Sequence, residues 1–291
     1  MPLVALGAVV VLVLTTLSGC AQSVDPIERL GRKAAARVHP ASSASPADAA
    51  GSAGSAGAPG RAAGQPAYRR WGLTAPLTPA PARPARPARS PAGSPGTALP
   101  PVVDHVPTDD RVVFLTYDDG AERDPRFVDM VRELRLPVSM FLTDSVIGPG
   151  YGRLARLQSV GASVQNHTLD HPALRGLPYA GQRAEICGQQ DKLRARFGQR
   201  PRLLRPPYGV YDTTTRRAAA DCGIAAVVLW RASMGPTGLT YAHGPHRLRP
   251  GDVIAVAPDE TTAPDLKDRT TRLLRQIQQG HLTVARLEDY V

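Results

Sequence analysis

The sequence predicts an α/β domain with a parallel β-sheet over residues 109–291. Short runs of β-forming apolar residues alternate with helical stretches, which is the pattern of successive β-α units. Three glycines, Gly161, Gly198 and Gly223, follow predicted helices at positions typical of helix C-caps. Such alternation indicates a parallel sheet that is either doubly wound or closed as a barrel. Roughly 180 residues suffice for one core but are few for an eight-fold barrel.

The predicted elements follow one another in regular order along this region. We expect seven strands, at 112–117, 138–142, 163–166, 203–204, 226–230, 253–256 and 282–284. Five helices are expected between them, at 124–134, 151–159, 179–197, 213–222 and 265–279. In parallel α/β folds the functional side chains collect at the carboxyl ends of the strands, so a site is expected there.

The first residues form an apolar run, 3–17, of the length found in signal peptides and too short for a comfortable membrane span. It ends in Leu17-Ser18-Gly19-Cys20, which resembles the bacterial lipoprotein signal, in which Cys20 is lipidated and becomes the mature N-terminus. We therefore predict a signal peptide at 1–20 and an exported protein, anchored by lipid on the outer face of the cytoplasmic membrane. The alternative is an ordinary secretory signal peptide whose cysteine stands there by chance.

Residues 21–108 are dominated by Ala, Pro, Gly and Ser and predict a disordered linker, because they offer too little apolar area to offset the entropy of ordering. The aromatic island at 68–73 is interpreted as part of this linker. The linker contributes +6 of the formal net charge of +10, from ten basic and four acidic residues. On an exported protein this favours contact with anionic envelope polymers or lipid headgroups, although a merely solvating role explains it equally well. No predicted element of 109–291 concentrates positive charge, so no nucleic-acid binding is expected.

Three cysteines occur in the chain. With Cys20 lipidated, Cys187 and Cys222 remain, and both fall in predicted helices. In an oxidising compartment they are consistent with a disulfide and also with two buried free thiols, and the sequence does not distinguish the two.

The strand at 112–117 stops at two adjacent carboxylates and a glycine, Asp118-Asp119-Gly120. Neighbouring side chains of an extended segment point in opposite directions, so one carboxylate can bind a metal while the other stays free as a base. Taken alone, the pair is also typical of an ordinary turn at a strand end.

His167 and His171 follow the strand at 163–166 and are spaced so that both imidazoles can face one side. A lone histidine is most often a satisfied polar group, but such a pair at a strand end favours a metal site. Two neutral imidazoles and one carboxylate suit Zn²⁺, with positions left open for water and substrate, and Co²⁺ is the alternative.

The segment Arg205-Pro206-Pro207-Tyr208-Gly209 follows the strand at 203–204. Its prolines fix a non-helical turn and lack N–H groups, which leaves the N–H of Tyr208 to stabilise a developing oxyanion. Arg205 can orient a carboxylate through paired hydrogen bonds. A rigid loop with a surface arginine is the alternative interpretation.

Together the three stretches resemble the polysaccharide deacetylase family, also called the NodB homology group or carbohydrate esterase family 4. The resemblance rests on Thr116-Tyr117-Asp118-Asp119-Gly120, His167-Thr168-Leu169-Asp170-His171 and Arg205-Pro206-Pro207-Tyr208, in this order. It implies a deformed (β/α) barrel and metal-dependent removal of N-acetyl groups from amino sugars. It also implies roles: Asp118 as base, positioned by Arg205; Asp119, His167 and His171 as metal ligands; the Tyr208 amide as an oxyanion donor.

Two further motifs depart from the family's pattern. Trp230, in Val227-Val228-Leu229-Trp230, is suited to a wall of the sugar pocket, together with Pro207. The family usually has an aspartate shortly after this tryptophan to hold the arginine, whereas Arg231-Ala232-Ser233-Met234 stands here. Where the family has a histidine as general acid, the stretch 251–258 has Ala257. The candidate replacements are His243, His246, Asp259 and Glu260.

The leading hypothesis is a zinc-dependent deacetylase of N-acetylated envelope glycans, such as peptidoglycan or chitin-like oligomers. We expect it to be slow, because Ala257 cannot protonate the leaving amine and general acid help is typically worth about 10²–10⁴ in rate. The alternative hypothesis is a protein that keeps the barrel and the metal and binds glycans without turnover. No residue of the sequence selects among the glycans.

Overall fold

A single sheet, curved into a half barrel, organises the protein. The structure is a computed structural model that describes residues 65–82, 99–256 and 266–291. Within these residues the strands are β1 Val102–Val103, β2 Val112–Tyr117, β3 Val138–Leu142, β4 Ser163–Asn166, β5 Leu203–Leu204, β6 Ala226–Val228, β7 Ala232–Met234, β8 Leu239–Tyr241, β9 Val253–Val256 and β10 Thr283–Val284. Their spatial order is β1-β6-β5-β4-β3-β2-β9-β7-β8, and β10 pairs with β2.

The helices pack along this sheet. They are α1 Ala67–Arg70, α2 Pro125–Leu134, α3 Asp144–Ile147, α4 Tyr151–Ser159, α5 Tyr179–Phe197, α6 Thr213–Asp221 and α7 Leu266–Gln279. Short 3-10 turns lie at Ala121–Arg123, Gly148–Gly150, Pro207–Gly209 and Leu287–Asp289. Helix α6 begins with a capping box in which Asp212 accepts from the Thr215 N–H, and α5 ends at Gly198 in the left-handed region. None of the described helices has the length and apolar character needed to cross a membrane.

The predicted α/β fold is confirmed, since every pair of named strands is parallel except β7 with β8. Strands β1, β7 and β8 were not predicted, and the strand expected at 226–230 ends at Val228. Strands of two or three residues are too short to show a periodic pattern, and β8 lies at the edge of the sheet with little burial.

Strand β2 lies between two layers of the core. Val113, Leu115 and Tyr117 pack with apolar residues of α2 and α7. Val112 and Phe114 pack on the other face, with residues of the neighbouring strands β3, β5, β6 and β9. Successive side chains of a strand point to opposite faces, so Thr116 and then Asp118 lie on the same face of β2 as Val112 and Phe114. This alternation brings one of the two aspartates to the mouth of the barrel.

Residues 65–82 and 99–103, which the sequence assigns to the linker, pack on the domain. Leu73 is only 3% exposed, and the Trp71 indole donates to Glu133 of α2 across 2.6 Å. Arg275 of α7 donates to the Gly72 carbonyl at 2.8 Å. Strand β1 extends the sheet beside β6, so the domain begins before residue 109. The predicted signal peptide with Cys20, and the parts of the predicted linker at 21–64 and 83–98, lie outside the described residues.

A disulfide joins Cys187 of α5 to Cys222 at the end of α6, with their Cα atoms 5.0 Å apart. The sequence left a disulfide and two free thiols open. The structure has the disulfide, which ties two helices that already pack against each other.

Candidate active site

The predicted site residues meet at the carboxyl ends of three strands, β2, β4 and β5, which belong to the consecutive row β5-β4-β3-β2. Asp118 and Asp119 follow β2, His167 follows β4, and Arg205 follows β5. The register that pairs β2 with β3, β3 with β4 and β4 with β5 sets these strand ends side by side. Each of these residues therefore lies at the carboxyl end of a strand, where the sequence leads us to expect a site.

Asp118 is held by Arg205. Arg205 Nη1 donates to Asp118 Oδ1 across 2.7 Å, and Nη2 donates to the Thr116 hydroxyl at 2.7 Å. The Thr116 hydroxyl in turn donates to the Ile254 carbonyl at 2.8 Å, which fixes it as an acceptor toward the arginine. Burial by itself would raise the pKa of Asp118, but the charge of Arg205, with smaller contributions from the two histidines, holds this pKa below its usual value. Asp118 is therefore a carboxylate at neutral pH and is oriented to accept a proton.

The guanidinium of Arg205 is fully buried between two aromatic rings. It lies 4.3 Å from the centroid of Phe141 and 5.4 Å from that of Trp230. Its Nε has no hydrogen-bond partner among the described residues. Arg231, which stands after Trp230, turns away and pairs with Asp252 instead. No aspartate after Trp230 holds Arg205. Instead, Asp118 pairs with one edge of the guanidinium, and the two aromatic rings lie against it.

Asp119, His167 and His171 form a group that can hold a metal ion, with ligand atoms all within 4.8 Å of one another. His167 Nδ1 lies 2.7 Å from the Arg205 carbonyl, which can only accept, so Nδ1 carries the proton and Nε2 keeps a free lone pair. His171 Nε2 lies 3.2 Å from His167 Nε2. Asp119 accepts from the Thr143 N–H at 2.7 Å through one oxygen.

The chemistry of these three donors fits a divalent cation. Burial lowers the pKa of His167 to about 4 and also lowers that of His171, so both imidazoles are neutral ligands. A separation of 3.2 Å is close to that expected of two nitrogens that bind one zinc ion at roughly 2.1 Å each. Burial raises the pKa of Asp119 to about 7, and a bound cation would favour its carboxylate form.

The loop that carries the histidines is held in a strained conformation. Thr168 and His171 have φ values of 74° and 60°, in the left-handed region that residues with a Cβ seldom adopt. Asn166 Oδ1 accepts from the Thr168 N–H at 2.9 Å, and the Thr168 hydroxyl accepts from the His171 N–H at 3.1 Å. Glu185 of α5 accepts from two further N–H groups of the loop. Sequence reasoning missed these positioning residues, because their role depends on contacts between distant segments.

Tyr208 lies beside the histidines, with its side chain largely exposed. Its ring meets that of His171 edge-on at 4.9 Å. The Tyr208 N–H has no acceptor among the described residues, so it is available to a ligand. Tyr208 has φ 59°, and a Cβ on the next residue, Gly209, would come within 3.2 Å of the Trp230 ring. Glycine thus lets the turn close against Trp230, while Pro207 is buried beneath it.

The candidate replacements for the general acid have other partners or are not described. His243 Nε2 pairs with Asp104 at 2.6 Å, after β1. His246 stacks on Tyr241 in the loop that leads to the amino end of β9. Ala257, Asp259 and Glu260 lie outside the described residues. Neither described histidine contacts Asp118, so the structure assigns no replacement acid.

The sequence of this chain is similar to those of known proteins. Residues 105–227 match the family model for polysaccharide deacetylase. An uncharacterized protein of Streptomyces coelicolor is 68% identical over 67% of this chain and 79% of its own length. A chitooligosaccharide deacetylase of Bradyrhizobium is 30% identical over 40% of this chain, which spans 55% of that enzyme.

Solved structures share the fold. A family 4 carbohydrate esterase from Bacillus anthracis matches 65% of this chain and 86% of its own with a TM-score of 0.55 and 18% identity. A pseudoenzyme of carbohydrate esterase family 4 from the same organism matches 66% of this chain and 69% of its own, with a TM-score of 0.56 and 15% identity. Residues 105–227 therefore form a domain of the polysaccharide deacetylase family, with the motif residues placed at its strand ends.

Proposed function

We propose that this protein is a metal-dependent hydrolase that removes N-acetyl groups from an N-acetylated glycan. The observation that carries the proposal is the ion pair of Asp118 with buried Arg205, placed directly beside the Asp119, His167 and His171 group. A carboxylate kept free and ionised next to a cation site has little structural purpose in itself. It suits the proton transfer that amide hydrolysis requires.

Each site residue has a separate role in this reaction. A divalent cation, which we propose to be Zn²⁺ with Co²⁺ as the alternative, would supply Lewis-acid polarisation and lower the pKa of water when bound by Asp119, His167 and His171. Asp118 accepts the proton of the attacking water, and Arg205 keeps this carboxylate oriented. The Tyr208 N–H donates to the oxygen that becomes negatively charged. Trp230 and the ring of Tyr208 offer faces for the sugar.

The step that protonates the leaving amine lacks the general-acid histidine that the family's pattern has. When the C–N bond breaks, acetate and a free amine form, and the amine nitrogen must receive a proton. Ala257 stands where the family has its histidine, so we propose slow turnover.

Acetate release tests the proposal. The purified chain is incubated with peptidoglycan fragments, chitin oligomers and acetylated xylan, with zinc or cobalt, and again after chelation. We expect acetate from an amide-bearing glycan that stops with the chelator and returns when the metal is restored. Failure to release acetate from every glycan with either metal contradicts the proposal.

A second candidate function is glycan binding without turnover. Ala257 and the unpartnered Nε of Arg205 favour it, and one structural neighbour is itself described as a pseudoenzyme. This candidate predicts measurable glycan binding with no acetate release, unaffected by Asp118→Asn. Robust acetate release rules it out.

We further propose that the protein is exported and anchored by lipid at Cys20, with the basic linker near anionic envelope polymers. The apolar run before Cys20 and the Cys187–Cys222 disulfide support export, because disulfides persist in oxidising compartments. Labelling with a fatty-acid analogue in the native host tests the anchor. Label is expected in the wild type and absent in Cys20→Ser, and an unlabelled wild type overturns the proposal.

A further inference from the structure

A groove with a volume of about 630 Å³ carries positive charge at the end of the domain away from the active site. Its lining includes three arginines, Arg111, Arg247 and Arg249, together with the imidazole of His246, and no acidic residue among those described there. Gln276 and Gln279 of α7 add amide groups to the wall. Neither the proposed catalysis nor the family match accounts for this concentration of charge.

The groove lies at the amino-terminal end of the strands. Arg111 directly precedes β2, whereas Asp118 directly follows it. The two positions are seven residue steps apart in extended chain, which separates them by roughly 23 Å. Pro250, another lining residue, lies just before β9, at the same end of the sheet. A ligand bound here would not compete with a glycan at Asp118.

The arginines of the groove have no carboxylate partner among the described residues. Arg111 donates to the carbonyls of His281 and Gly280, each at 2.9 Å, which fixes its guanidinium without neutralising it. The Nε of Arg249 is buried and lacks a hydrogen-bond partner among the described residues. Guanidinium groups match the oxygens of phosphate through paired hydrogen bonds, so several of them together favour a phosphate-bearing ligand.

A buried ion pair shapes the loop that supplies most of this charge. Arg231 and Asp252 are both fully buried and pair with each other. Arg231 also donates to carbonyls of the loop, at 3.3 Å to His243 and 3.1 Å to Pro245. Asp252 accepts from the Arg249 N–H at 2.7 Å. Burying two charges is costly, and here the pair fixes the path of residues 243–249 and so the spacing of the basic side chains.

Aromatic stacking orders the rim of the same groove. The rings of His246 and Tyr241 stack with centroids 5.6 Å apart and planes inclined by 10°. Arg231 covers the Tyr241 ring at 5.2 Å. The exposed imidazole of His246 is thereby held at the groove by its stacking on Tyr241, which in turn lies under the buried Arg231.

We propose that this groove binds an anionic polymer with repeated phosphate groups. The proposal does not depend on deacetylation, because the groove and the Asp118 site are at opposite ends of the strands. An elongated polyanion suits an open groove, since successive phosphates can reach Arg111 on one side and the 246–249 loop on the other. Binding here would hold the domain on a polymer while leaving the catalytic site accessible.

Fluorescence anisotropy with labelled polyphosphate tests the proposal on the full chain. The double variant Arg247→Ala/Arg249→Ala removes two charges from the groove. The control Arg194→Ala/Arg202→Ala removes two exposed charges elsewhere, on α5 and before β5. We expect at least tenfold weaker binding for the groove variant and less than a twofold change for the control. Because Arg249 is partly buried, melting temperatures are compared, and Arg247→Glu serves as a second variant at an exposed position.

Hydrogen exchange separates the groove from the basic linker, which also attracts polyanions. Polyphosphate is expected to protect amides of 241–250 and 276–281 in the wild type. Equal weakening in both double variants, or no protection of these segments, overturns the proposal. Equally tight binding of a carboxylate polymer, such as polygalacturonate, overturns the phosphate preference.

Discussion

Arg205 donates from Nη1 to Asp118 Oδ1 across 2.7 Å, while its own Nε is buried with no partner among the described residues. A buried donor without an acceptor costs about 1–3 kcal/mol, and here the cost is borne by the residue that positions the proposed base. Trp230 and Phe141 cover the faces of the guanidinium in place of a carboxylate at its edge.

Asp118→Asn should remove the proposed base while leaving the three proposed metal ligands in place. We expect kcat to fall by about 10²–10⁴ because general base catalysis typically contributes that much. Acetate release and metal content, measured on the same preparation, check both parts. The matched control is Asp170→Asn, which changes an exposed carboxylate in the loop that carries the two histidines. It should leave kcat unchanged. Full activity in Asp118→Asn would assign the proton transfer to another group.

Ala257→His should raise the rate, if protonation of the leaving amine limits turnover. We expect an increase of roughly tenfold or more, up to the range typical of a general acid. The double variant Asp118→Asn/Ala257→His should remain inactive, since an acid cannot replace the base. An unchanged rate in Ala257→His would place the limiting step elsewhere.

His171→Ala should abolish tight metal binding. The wild type is expected to bind one zinc ion for each chain by titration, because three protein ligands converge on one point. His246→Ala removes a histidine from the opposite end of the strands and should bind zinc like the wild type. Unaltered stoichiometry and affinity in His171→Ala would contradict the assigned ligand set.

Asp252→Asn should destabilise the domain strongly. It leaves the fully buried Arg231 without its counter-charge, which typically costs about 3–5 kcal/mol. Urea unfolding measures the loss. Arg231→Met/Asp252→Leu removes both charges and should recover much of this stability. If the double variant is as unstable as the single one, the carbonyl contacts of Arg231, and not the buried charge, dominate.

Reduction of the Cys187–Cys222 disulfide should lower the free energy of unfolding by about 4 kcal/mol, from the entropy of the loop it closes in the unfolded chain. Calorimetry with and without reductant measures the shift. The variant Cys187→Ser/Cys222→Ser is expected to melt like the reduced protein and to be insensitive to reductant. Equal melting of the oxidised and reduced wild type would contradict this expectation.

Much of the site was predictable because its chemistry is local in sequence. Asp118-Asp119, His167 with His171, and Arg205 each occupy a short motif at a strand end, and parallel strands bring such ends together. The roles of Asn166 and Glu185 were not predictable, since both act through contacts with backbone amides of the histidine loop. Their residue types carry no signal without the fold.

The basic groove and the packed segment 65–82 escaped prediction for a related reason. Arg111 and the 246–249 loop are far apart in sequence and meet only because β2 and β9 are neighbours. Trp71 and Leu73 are apolar islands in a polar, proline-rich stretch, and composition averaged over that stretch hides them. Whether they dock depends on α2 and α7 offering a matching surface.

The packing of residues 65–82 on α2 and α7 limits how far the domain can lie from a membrane anchor at Cys20. If Cys20 is the anchor, the tether ends at residue 64 and comprises 44 residues, not the 88 of the whole segment 21–108. However they are arranged, 44 residues span at most about 150 Å, half the distance available to the longer segment. The proposed active site would therefore stay close to the membrane. Glycan strands farther from the membrane than this segment allows would not be reached.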